Sequence, residues 1–215
     1  MILSAVIFDL DGTLINSSGL WSKAFSEVLK SLGKEPISEH PEIPGVGIED
    51  NWRILLVKYN ITTDKTLDEL KSLTYKHYVK FLQDIKLIEG ARNFLENLRE
   101  SNIEIALATN CEWWVVEEVF KKLDLDGVFD ATVTGEEILN KKPFPDAFLL
   151  AADKLDVPAK DCLVIGDTQS DIDAAKSAGM KVIIISDLED EKNLTGADLI
   201  VGKFSEITPK LIAQL

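Results

Sequence analysis

Five short apolar runs constrain this chain more than any other feature. Residues 3–8, 103–108, 162–165, 181–185 and 198–201 are rich in Val, Ile, Leu and Ala and show little polar alternation. Strands that read this way are buried on both faces, which is the habit of a parallel sheet. Parallel neighbours cannot be joined by a tight turn and need crossover segments, usually helices. Helical spacing fills the intervals. Ala91, Phe94, Leu95 and Leu98 fall at i, i+3, i+4 and i+7, and the Ala-rich stretch 168–178 stops at Gly179. The expected fold is therefore α/β, a doubly wound, Rossmann-like parallel sheet covered on both faces.

One interval is too long for a crossover. Roughly 95 residues separate the first apolar run from the second, several times what one connection needs. The interval carries its own helical faces: Trp21, Ala24, Phe25, Val28, Leu29 and Leu32 up to Gly33, then Leu67, Leu70, Thr74, Tyr78 and Phe81. A Pro/Gly-rich turn at 41–47 lies between them. The spacing predicts a helical cap domain at 16–84, inserted into an α/β core formed by 1–15 and 85–215. The connecting stretches 14–17 and 83–87 are expected to act as hinges for a lid, with the loop 43–52 setting specificity.

Charge and hydropathy remove several classes of partner. Lys and Arg number 23 against 37 Asp and Glu, a net charge of −14, and no basic patch interrupts it. Nucleic-acid binding needs a cationic footprint and is not expected. No apolar run reaches the length of a membrane span. The apolar N-terminus lacks a basic leader and runs into Asp9 and Asp11, so it reads as a strand rather than a signal peptide. Two cysteines, Cys111 and Cys162, are too few for a disulfide framework. A cytoplasmic protein, monomeric or weakly dimeric, is expected.

Four polar segments are expected at the carboxyl ends of the predicted strands. In open α/β sheets the carboxyl edge is where ligands bind. Residues 8–13 read Phe-Asp-Leu-Asp-Gly-Thr, two carboxylates leaving a strand at a turn that Gly12 permits. Residues 108–110 read Ala-Thr-Asn, a hydroxyl and an amide ahead of a helix whose free N–H groups could face an anion. Residues 141–146 read Lys-Lys-Pro-Phe-Pro-Asp, and 165–171 read Ile-Gly-Asp-Thr-Gln-Ser-Asp. Any one of these is ordinarily a turn or a helix cap. Together they put four acids, a hydroxyl and a lysine at one sheet edge, an arrangement that needs a cation and suits Mg²⁺ with a phosphate.

The ordered set Asp-Leu-Asp-Gly-Thr, strand-Thr, Lys-Pro-x-Pro-Asp and Gly-Asp-x-x-x-Asp resembles the haloacid dehalogenase-like hydrolases over nearly the whole chain. The insert's position is similar to the helical-cap subgroup that includes sugar-phosphate phosphatases, phosphoglycolate phosphatases and β-phosphoglucomutases. The resemblance implies a Mg²⁺-dependent phosphatase of a small phosphorylated metabolite. Asp9 would be the nucleophile that forms an aspartyl-phosphate. Asp11 would protonate the leaving alcohol and then activate water. Thr109 and the N–H groups near Asn110 would hold phosphoryl oxygens, and Lys142 would offset charge between nucleophile and phosphate. Asp9, Asp11 through its backbone carbonyl, Asp167 and Asp171 would be the metal ligands, Asp171 directly or at one remove.

Two alternatives are carried beside it: a β-phosphoglucomutase-type mutase, and a non-catalytic binding module on the same fold. The mutases of that subgroup place an arginine after Gly-Val-Ser in the cap loop, whereas Gly45-Val46-Gly47 is followed here by Ile48, with Arg53 further on. Asp11 itself argues for phosphate chemistry rather than dehalogenation. Asn51 and Trp52 are expected to contact substrate, unless Trp52 anchors the cap's core. Lys141 reads as solvated surface, His40 and His77 as residues without a nucleophile to serve, and Cys111 as a small buried residue. Trp113 and Trp114 open the helix after Thr109.

Overall fold

The computed structural model describes residues 3–36, 38–43, 46–186, 194–212 and 215. They form two compact units, one of residues 17–85 and one of the chain on either side. The larger unit holds a six-stranded sheet. Its strands are β1 (Ala5–Phe8), β2 (Glu104–Ala108), β3 (Ala131–Val133), β4 (Cys162–Gly166), β5 (Lys181–Ile185) and β6 (Leu199–Val201). They lie in the order β3-β2-β1-β4-β5-β6, and every pairing is parallel.

Alternation along β1 shows why both faces must be covered. Ala5 and Ile7 join Ala106, Ala108, Val164, Val182 and Ile184 on one face. Against that face pack Phe148 and Ala151 of α6 (Asp146–Lys154) and Ile172, Ala174 and Ala175 of α7 (Gln169–Ser177). Phe8 points the other way and meets Phe94 of α4 (Ala91–Glu100) edge-on at 6.1 Å, with Phe204 completing the cluster. The α/β expectation holds. The sequence reading did not include β3, a three-residue edge strand too short to show a period.

The smaller unit contains α1 (Ser18–Ser31), α2 (Ile48–Lys58) and α3 (Leu67–Phe81). Trp21 of α1 stacks on Tyr78 of α3 at 3.7 Å, and Phe25 packs at 5.4 Å from Trp52 of α2. Helix α3 starts on a reciprocal cap, in which Thr66 Oγ1 accepts from Glu69 N and Glu69 Oε2 accepts from Thr66 N. The loop expected at 43–52 ends earlier than its sequence suggested, because helix α2 begins at Ile48. Ile48, Asn51, Trp52 and Leu55 are its buried face and fall at i, i+3, i+4 and i+7, a signal present in the sequence. The chain segments that join the units pair with one another: Asn16 N donates to Lys86 O at 3.4 Å and Ile88 N to Leu14 O at 2.8 Å.

Candidate active site

Register brings the polar segments together. Phe8 pairs with Leu107 on one side and Ile165 on the other, so β1, β2 and β4 end at one level. Asp9 follows β1, Thr109 follows β2 and Asp167 follows β4. Backbone hydrogen bonds continue one step past the strands, Asp9 N to Ile165 O at 2.9 Å and Thr109 N to Val133 O at 3.0 Å. The turn after Asp9 closes through Gly12 N to Ile15 O at 2.8 Å. Gly12 has φ +87°, and a β-carbon there would collide with the Asp167 carboxylate. Glycine therefore both makes the turn and lets Asp167 approach. Thr13 Oγ1 donates to Asp167 Oδ1 at 3.4 Å.

A buried ammonium organises the centre. Lys142 Nζ donates to Asp9 Oδ1, to Asp171 Oδ1 at 2.7 Å and to Ala108 O at 3.3 Å. Burial opposes its charge, but Asp171 and Asp9 outweigh burial and raise its pKa. Burial also acts against the Asp171 carboxylate. Lys142 and the Thr168 hydroxyl and N–H, at 2.7 and 3.1 Å, overcome it and lower the Asp171 pKa. Asp9 has only Lys142 to set against burial and the Asp171 charge, and its pKa rises to about 7. Asp167 is pushed well above the carboxylate range by burial, then by Asp171 and Asp9.

Oxygens of Asp9, Asp167 and Asp171 lie within 4.8 Å of one another. Three clustered carboxylates, two of them bonded by the ammonium and two with raised pKa values, form a hard-oxygen donor set that a divalent cation would relieve. Both oxygens of Asp171 are already engaged, Oδ1 by Lys142 and Oδ2 by Thr168. Asp171 therefore orients Lys142, while Asp9 and Asp167 are the carboxylates that fit direct ligation.

The segment after β2 differs from its sequence reading. Thr109 is buried and its Oγ1 accepts from Cys111 N at 3.1 Å, so its own O–H can donate to an anion. The Asn110 side chain is a brace rather than an anion contact. Its Oδ1 accepts from Lys142 N at 3.0 Å and its Nδ2 donates to Lys142 O at 3.4 Å, which fixes the backbone that carries the ammonium. The helix that follows, α5 (Trp113–Leu123), begins three residues beyond Asn110 with Glu112 as its cap, and the Trp113 N–H is taken by Glu136 at 2.9 Å. A protein carboxylate thus accepts from the first N–H of that helix. Trp113 and Trp114 are partly exposed.

Lys141 is likewise corrected. Its Nζ donates to Asn110 O at 3.1 Å, and the side chain is half-buried. Asn110 O also sits so close to Gly135 that a β-carbon there would strike it. Lys141 and Asn110 thus hold the two loops from both directions, side chain to backbone each way. Lys141→Ala should lower kcat/KM roughly three- to tenfold, the scale of one charged hydrogen bond partly shared with water. Inhibition by inorganic phosphate should weaken in parallel, and steady-state kinetics on the variant and wild type would measure it.

In the smaller unit, Asn51 turns to the loop and Trp52 takes its alternative reading as a core anchor. Asn51 Oδ1 accepts from Ile43 N at 2.7 Å, and Nδ2 donates to Ile43 O at 3.1 Å and Val46 O at 3.0 Å. Trp52 is fully buried and donates from Nε1 to Thr74 Oγ1 at 2.8 Å. Their polar groups are spent on the loop and helices of that unit, so they shape the loop instead of meeting a substrate in this conformation. Gly45, part of the loop motif, lies outside the described residues. Arg53 pairs with Glu49 at 2.5 Å and Asp50 at 3.4 Å along its own helix. His40 does have a serine: Ser22 Oγ donates to Glu42 Oε1 at 2.6 Å and lies 2.6 Å from His40 Nδ1. The hydroxyl sits between base and acid, which is the wrong order for activating it as a nucleophile.

Residues 6–185 match the haloacid dehalogenase-like hydrolase family. A phosphorylated carbohydrates phosphatase from Thermotoga maritima is 33% identical over 203 residues, covering 92% of this chain and 93% of the relative. The β-phosphoglucomutase of Bacillus subtilis is 29% identical, with 99% and 95% covered. The crystal structure of a HAD hydrolase of family IA, variant 3, from Entamoeba histolytica superposes with a TM-score of 0.87 at 29% identity, covering 99% of this chain and 98% of that one.

Proposed function

The chain belongs to the haloacid dehalogenase-like hydrolases and is a phosphoric monoester hydrolase; we propose that it cleaves a small phosphorylated metabolite, a sugar phosphate or phosphoglycolate-like ester, through a phosphoryl group carried on Asp9. The observation that carries this reading is the buried Lys142 ammonium held against Asp9 at the end of β1. A lysine fixed there by Asp171 and by the Asn110 brace offsets charge where a phosphoryl group would meet the nucleophile.

Asp9 supplies the attacking oxygen. Its bond to phosphorus forms as the ester oxygen leaves, and Asp11, two residues along the same turn, gives that oxygen a proton. Asp11 then takes a proton from the water that hydrolyses the acyl-phosphate, returning Asp9 as a carboxylate. Thr109 donates its hydroxyl to a phosphoryl oxygen. Asp9, Asp167 and the Asp11 backbone carbonyl would hold Mg²⁺, with Asp171 at one remove. When bound, Mg²⁺ supplies charge neutralisation for the phosphoryl oxygens.

The described residues contain no helix long and apolar enough to cross a membrane. Cys111 and Cys162 are buried free thiols, which fits a reducing cytoplasm. A mutase needs a second phosphate-binding group. The position after Gly47 is Ile48, and Arg53 is paired on its own helix, so hydrolysis is the reading we adopt.

The test is phosphate release from p-nitrophenyl phosphate and a panel of phosphorylated metabolites, after exhaustive chelation and after Mg²⁺ is restored. A coupled glucose 6-phosphate assay on β-glucose 1-phosphate runs beside it. Activity is expected to vanish with chelation and return with Mg²⁺, with free phosphate as the product. Full turnover without metal would remove the carboxylate cluster from the mechanism, and isomerisation with little free phosphate would make the protein a mutase.

A further inference from the structure

The thiol of Cys111 reaches across from the β2 loop to the turn after β1. Its Sγ donates to Asp11 Oδ2 at 3.1 Å, between residues 100 positions apart in sequence. The cysteine is not a loose neighbour. Its N–H is tied to Thr109 Oγ1 at 3.1 Å, its carbonyl accepts from Gly135 N at 2.6 Å, and its side chain is buried. Asp11 is half-buried and sits on a turn closed by its own backbone bonds. Both ends of the thiol–carboxylate contact are thus anchored by backbone, and the contact fixes the rotation of the Asp11 carboxyl group.

We propose that Cys111 is a positioning residue for proton transfer: its thiol, donating to Oδ2, orients the Asp11 carboxyl group that exchanges a proton with the leaving group and the attacking water. This rests on the proposed role of Asp11. The proton balance is closed by Asp11 alone. The Asp11 carboxyl gives its proton to the ester oxygen as that oxygen's bond to phosphorus breaks and the Asp9–phosphorus bond forms. It regains a proton from water as the acyl-phosphate is hydrolysed. The thiol keeps its own hydrogen throughout. A thiol is a weak donor, but toward a carboxylate the bond is charge-assisted, and its worth is orientation as much as energy.

The test compares leaving groups of similar bulk. p-Nitrophenyl phosphate departs as a stable phenolate and needs little proton donation, whereas p-nitrobenzyl phosphate releases a poor alcohol leaving group that needs it. kcat/KM reports the steps up to leaving-group departure, so the ratio of the two values isolates the acid step and cancels any loss of folded enzyme. Cys111→Ala is expected to lower the benzyl-to-phenyl ratio roughly tenfold, and Cys111→Ser, which keeps an O–H donor, to restore it to within about threefold. Equal ratios in the alanine variant and the wild type, or serine and alanine behaving alike, would overturn the proposal. Asp11→Asn is the reference. If it leaves the ratio unchanged, Asp11 is not the acid and the underlying reading fails. If it collapses the ratio while Cys111→Ala does not, only the role of Cys111 falls.

Discussion

Asp9→Asn is expected to reduce turnover by a factor on the order of 10³ or more, the scale on which losing a nucleophile is felt, while the protein stays folded. An amide of similar volume cannot attack phosphorus and is a poor ligand for a hard cation. Stability should move the other way. The Asp9 pKa rises from 3.8 to about 7 in the fold. An unfolded chain ionises this group above about 4, but the folded one resists until about 7. The metal-free fold therefore loses stability as pH rises through that window, because the unfolded state releases the proton first. Asparagine removes the effect. Thermal melts of chelated protein at pH 8 should place the Asp9→Asn midpoint at or above that of wild type. A variant retaining several per cent of wild-type turnover would remove Asp9 from the chemistry.

Lys142→Met is expected to damage both activity and stability. Loss of a positioned charge at a phosphoryl site costs roughly 10²-fold or more in kcat. Removing one partner of a buried ion pair costs about 3–5 kcal/mol, because the remaining charges stay buried without compensation. Here Asp9 and Asp171 would both be left, beside an already strained Asp167. The thermal midpoint should fall at neutral pH and recover in part as Asp9 and its neighbours are protonated at lower pH. Adding Asp171→Asn to Lys142→Met should restore part of the stability and none of the activity. If the double variant were as unstable as the single one, Lys142 would be holding the fold by packing, for instance over the Phe148 ring at 5.2 Å, and not by charge.

Asp9, Thr109 and Asp167 were legible because each follows a buried strand, and a run such as Ala5–Phe8 announces where it ends. Parallel register then does the rest, aligning the ends of β1, β2 and β4 without further information in the sequence. What escaped were contacts set by loop geometry. Nothing in a Lys-Lys-Pro segment tells which lysine turns inward to Asp9 and which reaches the Asn110 carbonyl; only the resemblance separated them, and it leaves Lys141 to read as solvated surface. Asn110 has the chemistry of an anion contact, yet its amide matches the Lys142 peptide group and is used there. The Ser22, His40 and Glu42 cluster joins a helix to a loop, and no local spacing predicts it. Helix α2 is different. Its buried i, i+3, i+4, i+7 face was readable, but the preceding Pro and Gly drew the segment into the loop.

The most direct test of the account is to look for the phosphoryl group on Asp9. Wild-type protein with Mg²⁺ and excess p-nitrophenyl phosphate would be quenched in acid during turnover and digested, and the peptide bearing residues 5–15 weighed by mass spectrometry. A mass increment of one phosphoryl group is expected on that peptide, localised to Asp9, absent before substrate is added and absent in Asp9→Asn. Rapid turnover with that peptide unmodified at every quench time, or the increment on another residue, would contradict it.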